Sequence, residues 1–480
     1  MTRQGNKAVG SHAPSSSIPG ASIPCVAVMG LGVSGRAAVR YLALHGVRVL
    51  VSDTRAAHLL PAADLAFLAE YGVEYECGGH TLAFLRQADK ILVSPGISRD
   101  LEILQQLRAL KIPVLGELAV AAPLINKPVV AITGTNGKTT VTALIGELLQ
   151  GAGKKVFVGG NIGTSLFDYL NNPEDIDVLV LELSSFQLEA AGDFKADVAI
   201  LLNVTPDHLD RHGSMDCYAA AKMNIFSGQG QSDTAILSGD DHYCREMLPG
   251  LGGGQRQLLF GHGRDCQARI EDHSVMLLWQ GREERYDLTG SKLDTATGAL
   301  NSAAAILAVR SLGCTQERIV QGLSAFQVAA HRMAFVGKAA GVSYYDDSKA
   351  TNTGAVLSAL ENFKGNVILI AGGRDKGDDY SLLQESVARK VRCLILIGEA
   401  AELIAQALAG VTEQRKACSM EEAVLLAASI ARAGDTVLLS PACASFDMFE
   451  NYGHRGRVFA AAVQRVIDQS GPVACQDGGT

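Results

Sequence analysis

Two glycine-rich turns, and the carboxylate, imidazole and ammonium side chains that follow one of them, are where this sequence could do chemistry. Gly134, Thr135, Asn136, Gly137, Lys138, Thr139 and Thr140 come directly after the apolar run 129–133 and before a stretch of helical spacing that starts at Lys138. Successive amides in such a turn form a nest for an anion. Lys138 can reach the outer phosphates of a nucleotide, and the Thr139 hydroxyl can serve Mg²⁺. The general P-loop places a glycine five positions before Gly137, where this chain has Ile132, so the match to that motif is incomplete. A strand–turn–helix without nucleotide is the plainer alternative, and the coincidence of Gly, Lys and Thr argues against it.

Downstream, Glu182 ends the apolar run 178–181 within Glu-Leu-Ser-Ser-Phe-Gln, 182–187. The carboxyl end of a strand is where open α/β sheets bind ligands, and a carboxylate there can hold nucleotide-linked Mg²⁺. Taken alone, such a glutamate is more often solvated. Asn203-Val-Thr-Pro-Asp-His-Leu-Asp-Arg, 203–211, follows another apolar run and offers His208 as a neutral metal ligand, with Asp207 or Asp210 to orient it. A lone histidine in a turn is more often structural. Lys222 lies on a helical stretch, where a lysine is ordinarily solvated.

The other turn, Gly30-Leu-Gly-Val-Ser-Gly, 30–35, fits G-x-G-x-x-G after the run 25–29, and Asp53 follows the next run, 47–52. Glycines there allow a tight turn and close approach of a pyrophosphate to the following helix. The pattern alone would suggest a dinucleotide, and glycine packing without ligand is the bland alternative.

The elements that must position these groups fall into three segments in which strands and helices alternate, the sign of parallel α/β sheets. The first ends near Gly116. The second carries strands at 129–133, 178–183 and 198–203 and closes with a helix over 300–312, near a boundary at Ala329. The third carries strands at 367–371, 393–398 and 436–440. Residues 233–290, richer in glycine and polar side chains, predict β-structure along one edge. Residues 1–22 have no apolar core for a secretory signal and read as a flexible extension.

Composition excludes several classes. The chain has 480 residues, 48% of them hydrophobic, which suits two to four packed domains rather than disorder. Its net charge of −8, without basic runs, speaks against nucleic-acid or anionic-membrane surfaces. No apolar stretch is long enough to span a bilayer. Ten cysteines without zinc or redox spacing read as reduced thiols of a cytoplasmic protein.

In order along the chain, the segments 134–140 (GTNGKTT), 159–166 (GGNIGTSL), 182–189 (ELSSFQLE), 203–212 (NVTPDHLDRH), 218–222 (YAAAK), 298–305 (GALNSAAA), 331–333 (HRM) and 372–377 (GGRDKG) resemble the Mur ligase family. The resemblance spans nearly everything beyond the extension. Asp-Asp-Ser-Lys-Ala-Thr-Asn, 346–352, and Ser-Pro-Ala-Cys-Ala-Ser-Phe-Asp, 440–447, resemble the members that add D-glutamate, and the D-N-P-R type motif of the diaminopimelate- or lysine-adding members is absent.

The resemblance implies an α/β fold of three domains: a Rossmann-like UDP-binding domain over 23–116, a P-loop ATPase with a mostly parallel sheet over 117–329, and a Rossmann-like amino-acid domain over 330–480. It implies ATP-driven joining of D-glutamate to UDP-N-acetylmuramoyl-L-alanine through an acyl phosphate, by a cytoplasmic monomer. Val33, Ser34, Asp53, Thr54 and Arg55 would line the UDP site, with Ser94 and Gly96 near it. Asn161 and His208 would meet the muramoyl-alanine part. Asn301, Arg332 and Asp347 would join the 134–140 turn around ATP. Lys349, Thr351, Lys376, Ser445 and Phe446 would hold D-glutamate. Two Mg²⁺ ions are implied, one on Thr139 and Glu182, the other on His208 and a Lys222 carbamylated by CO₂. Lys138, Glu182, His208 and Lys222 would then form the catalytic set.

Three other functions compete. A folylpolyglutamate synthase shares the ATPase core but lacks the first glycine-turn domain. A nicotinamide dehydrogenase would use the 30–35 turn and leave Lys138, His208 and Lys222 idle. A non-catalytic nucleotide binder would be expected to have lost Lys138 or His208.

Overall fold

A computed structural model describes residues 24–470 apart from positions 95, 96, 99, 100, 162, 174, 328 and 329. The 1–22 extension, Gly96 and the side chain of Asp210 lie outside the described residues. The chain divides into two compact units, Met1–Leu115 and Gly116–Thr480. Its described strands form three sheets.

In the first sheet the strand order is Glu74–Cys77, Arg48–Asp53, Cys25–Met29, Lys90–Val93, Val114–Gly116. Cys25–Met29 pairs in parallel with both Arg48–Asp53 and Lys90–Val93, so the chain order reverses beside its carboxyl end. The glycine turn sits at that reversal, the place where doubly wound sheets form a crevice. Gly30 has φ +86°, and a Cβ on Gly35 would stand 2.0 Å from the Gly30 carbonyl oxygen. Glycine is therefore required at Gly35 by close approach of backbone to backbone.

The second sheet has nine strands. Val129–Thr133, made of β-branched and aliphatic residues and wholly buried, lies between Val198–Leu201 and Val178–Glu182, all three parallel. The carboxyl ends of these neighbours open on one edge, which brings the 134–137 turn, Glu182 and Asn203 side by side. Helix Lys138–Gly151 packs Leu144, Ile145 and Leu148 into the core beneath, with the alanine-rich helix Ala296–Ser311 beside it. That helix starts four residues before the expected 300, because the Thr295 hydroxyl caps it by accepting from Gly298 N at 3.0 Å. A further helix, Gln316–Ala325, follows it. Within the expected β-region 233–290, Thr234–Ser238 and Arg256–Gly261 extend the parallel sheet, and Ala268–Glu271, Ser274–Trp279 and Arg282–Asp287 finish it as an antiparallel edge.

The third sheet runs Ala334–Ala339, Val342–Asp346, Thr436–Leu439, Val367–Gly372, Val391–Ile397, Glu413–Lys416. It is parallel except for the hairpin formed by its first two strands. Again the carboxyl ends of adjacent strands carry the loops of interest, 346–352, 372–377 and 440–447.

Replacing Gly35 by alanine should destabilise the first unit by about 2–4 kcal/mol, since a carbonyl of the main chain cannot move aside as a side chain would. Chemical denaturation followed by circular dichroism checks this, and an unchanged first transition would refute the packing argument.

Candidate active site

The 134–137 turn is built by its neighbour Asn203. The Asn203 side-chain oxygen accepts from the amides of Thr135 and Asn136 at 3.1 and 2.8 Å, and its Nδ2 donates to the Asn136 carbonyl at 3.1 Å. The Thr135 hydroxyl donates to the Thr205 carbonyl and accepts from the Thr205 amide, both at 3.0 Å. The turn is thus stitched to the end of the next strand before any ligand arrives. Gly137, at φ +87°, starts the helix, and a Cβ there would lie 2.6 Å from Asn301 Oδ1.

Two lysines converge on this turn. Lys138 Nζ donates to the carbonyls of Gly134 and Thr135 at 2.8 and 2.7 Å. Lys222, only 1% exposed, donates to the same Gly134 carbonyl at 2.9 Å, its Nζ 4.4 Å from the centre of the Tyr218 ring. Burial pushes both amines below the ordinary lysine range, and for Lys222 the nearby Lys138 charge pushes further the same way. Glu182, buried as the last residue of its strand, accepts from Asn161 Nδ2 at 2.9 Å through one oxygen, while its other oxygen is buried without a hydrogen-bond partner.

Asp207 occupies the junction with the third sheet. One of its oxygens takes Lys376 Nζ at 2.7 Å and the other takes Asn352 Nδ2 at 2.8 Å. Burial raises the Asp207 pKa, but Lys376, His208 and Asn352 together bring it below the ordinary carboxylate value. The imidazole of His208 is 3.7 Å from the same carboxylate, so Asp207 engages Lys376 and Asn352 more closely than the histidine it was expected to orient. His208 itself has φ +56° and sets its ring edge against Phe186, centroids 5.1 Å apart.

Beside the turn lies a cavity of about 740 Å³ lined by Asn136, Gly137, Thr140, Asn301, Arg332, Asp347 and Lys349, among others. It therefore draws on both the second and the third sheet. Burial, the largest influence, lifts the Asp347 carboxyl to about 7 in spite of hydrogen bonds from Ser440 Oγ and Met333 N and the charge of Arg332. Burial and Arg332 lower Lys349 to about 8.

Lys349, expected at the amino acid, thus lines the same cavity as the residues expected around ATP. Leu293, Phe335 and Tyr345 also line it and carry no sequence motif. Thr139 is half-buried on the first helical turn. Among the amino-acid candidates Ser445 is buried, Thr351 half-buried and Phe446 63% exposed. Asn203 and Asn352 stood within recognised segments, yet nothing local marked them as the braces of the turn and of Asp207.

In the first unit, Asp53 is already engaged. It accepts from Leu31 N at 2.8 Å and from Arg55 Nε and NH2, both at 2.9 Å, and these contacts hold its carboxyl well below the usual range. Ser94 Oγ donates to the Gly30 carbonyl at 3.1 Å. Val33 is exposed at the start of the following helix, with Ser34 half-buried and Thr54 exposed.

Three family models match the chain. The family "Mur ligase MurD-like, N-terminal domain" matches residues 25–116, "Mur ligase middle domain" matches 132–309, and "Mur ligase, glutamate ligase domain" matches 331–443. A protein of Desulfotalea psychrophila named UDP-N-acetylmuramoylalanine--D-glutamate ligase is 54% identical over 442 residues, 92% of this chain and 96% of the relative. The chain belongs to the Mur ligase family. A ligase of the same name from Syntrophus aciditrophicus is 40% identical over 91% of this Mur ligase and 97% of the relative. The solved structure of a pseudomurein peptide ligase type C from Methanothermus fervidus shares the fold, with a TM-score of 0.59 at 20% identity over 93% of this Mur ligase and 99% of that chain.

The raised Asp347 pKa has a consequence for stability. The folded ligase binds more protons than the unfolded chain between the ordinary carboxylate value of 3.8 and about 7, so this group makes stability fall as pH rises through that window. Asp347→Asn removes the effect. Its urea midpoint relative to wild type should climb from pH 4.5 to 7, and a difference independent of pH would mean that Asp347 is ionised in the fold.

Proposed function

We propose that this Mur ligase joins D-glutamate to UDP-N-acetylmuramoyl-L-alanine with ATP, in peptidoglycan precursor synthesis in the cytoplasm. The observation that carries the reading is the cavity in which the 134–140 turn meets Arg332, Asp347 and Lys349 from the third sheet, in a chain 54% identical to a ligase of that name. No described helix is long and apolar enough to cross a membrane.

The substrate carboxylate attacks the γ-phosphorus, giving an acyl phosphate and ADP. The D-glutamate amine then adds to the acyl carbon, loses a proton, and phosphate leaves with its bonding pair, forming the amide. The barrier is electrostatic, because a carboxylate must approach a polyphosphate. Lys138 and Arg332 supply fixed positive charge, and the amides of 134–140 bind the phosphates, with Asn301 and Asp347 at the nucleoside side. Val33, Ser34, Thr54, Arg55, Ser94 and Gly96 receive UDP, and Asp53 shapes that site through Leu31 and Arg55. Asn161 and His208 meet the muramoyl-alanine part. Lys349, Thr351, Lys376, Ser445 and Phe446 take D-glutamate, the two lysines offsetting its two carboxylates.

The residues present fit Mg²⁺. Glu182 keeps one buried oxygen unpartnered, and the Thr139 hydroxyl stands on the first turn of the adjacent helix. Thr139 and Glu182 would hold one ion, and His208 and Lys222 a second. Bound Mg²⁺ supplies charge neutralisation for the phosphoryl oxygens and the substrate carboxylate. For Lys222 to serve a cation its amine must be converted by CO₂ to a carbamate. Its burial and depressed pKa favour the neutral amine that this addition needs.

Phosphate release with UDP-N-acetylmuramoyl-L-alanine and, in turn, D-glutamate, L-glutamate, meso-diaminopimelate and L-lysine tests the assignment. Release with D-glutamate alone is expected, and release with another amine instead would overturn it. Lys376→Ala should raise KM for D-glutamate about tenfold or more through loss of a charge-assisted contact. Buffers stripped of CO₂ should slow the wild-type enzyme and bicarbonate should restore it, whereas indifference to CO₂ would remove the carbamate from the proposal.

A further inference from the structure

The five residues proposed for D-glutamate lie on three separate loops, 346–352, 372–377 and 440–447. One side chain that no motif marked stands beneath all three. Arg455, on the helix Tyr452–Ser470, is fully buried and is the largest side chain so placed among the described residues. Its Nε donates to Ser348 Oγ at 2.9 Å and its NH2 to the Ser348 carbonyl at 2.8 Å. Its NH1 donates to the carbonyls of Cys443 and Ala444 at 3.0 and 3.3 Å. The third loop closes onto the same group. Arg374 and Ala444 exchange both backbone hydrogen bonds, at 2.9 and 3.1 Å, and a Cβ on Gly373 would come within 3.2 Å of Arg455 NH1. Ser348 Oγ also donates to the Tyr452 carbonyl at 2.8 Å, tying the loop to the start of the helix.

Every one of these partners is an uncharged oxygen. Among the described residues Arg455 makes no ion pair, although buried arginines are ordinarily matched by a carboxylate. Burial holds its pKa down to about 10, with the charges of Asp447 and Asp346 acting the other way from beyond direct contact. Lys349 and Ser445 are each one residue from an atom that Arg455 holds, so a dicarboxylic amino acid bound between them would approach a positive charge that no carboxylate touches directly.

We infer that Arg455 is the positioning residue of the amino-acid site: its guanidinium fixes the relative placement of the loops bearing Lys349, Lys376 and Ser445, and its charge, bound to no carboxylate directly, favours an acidic amino acid there. The inference rests on the D-glutamate reading above. Lysine could keep the charge but not the planar fork that spans two loops.

Arg455→Lys and, as a milder change, Ser348→Ala are compared with wild type by phosphate release, varying D-glutamate and ATP separately. KM for D-glutamate should rise about tenfold in the first and about threefold in the second, with KM for ATP within about twofold, since Asp347 on the same loop is separately held by Ser440 Oγ and Met333 N. Unchanged KM values, or a parallel rise in both, would overturn the inference. If Arg455→Lys does not fold, Ser348→Ala decides by the same split. A wild-type enzyme that responds to another amino acid and ignores D-glutamate sinks the substrate assignment instead, and Arg455 is then judged by the KM of that amino acid.

Discussion

Two lysine amines share one carbonyl oxygen, that of Gly134, and much of the active site follows from this constraint. Two ammonium groups that close, out of water, repel strongly. Burial and the Lys138 charge push the Lys222 pKa down, and Glu182 and Asp207 supply opposite charge around Lys138. Positive potential is thereby stored at the amino end of a helix and at the carboxyl ends of three parallel strands, before any phosphate arrives. The surrounding polar side chains hold this arrangement rigid. Asn203 fixes the turn and Thr205 fixes Thr135. Parallel strand order places these groups within reach of one another although they are far apart in the chain.

Legibility in the sequence followed the physics of each element. Cys25–Met29 and Val129–Thr133 were readable to the residue, because runs of buried aliphatic residues ended at glycine, and the helix start at Lys138 was fixed by the turn before it. Glu74–Cys77 and Glu413–Lys416 were not read as strands. They are sheet edges whose largely polar side chains carry no apolar period. The hairpin Ala334–Ala339 and Val342–Asp346 was likewise missed, because a half-exposed strand with a glycine and a lysine inside it resembles a loop.

The site was legible where chemistry was local and obscure where it depended on pairing across the fold. The glycine turn and Glu182 could be nominated from their surroundings, whereas Lys222 was nominated only through the family resemblance. The partners of Asp207 could not, since Asn352 and Lys376 stand 145 and 169 residues away. Arg455 contacts Ser348 across 107 residues, and in sequence it is only an arginine near the start of an amphipathic helix. Nor does sequence report that Asp53 already accepts from Arg55 and from Leu31 N.

The Asp207–Lys376 pair joins the second sheet to the third, and both side chains are largely shielded from water. Dissolved salt therefore screens it weakly, so ionic strength gives little control over it. What competes with it is another anion of suitable shape. Any carboxylate brought to Lys376 must compete with Asp207 for the same ammonium, so the charge that would attract it is already partly spent inside the fold.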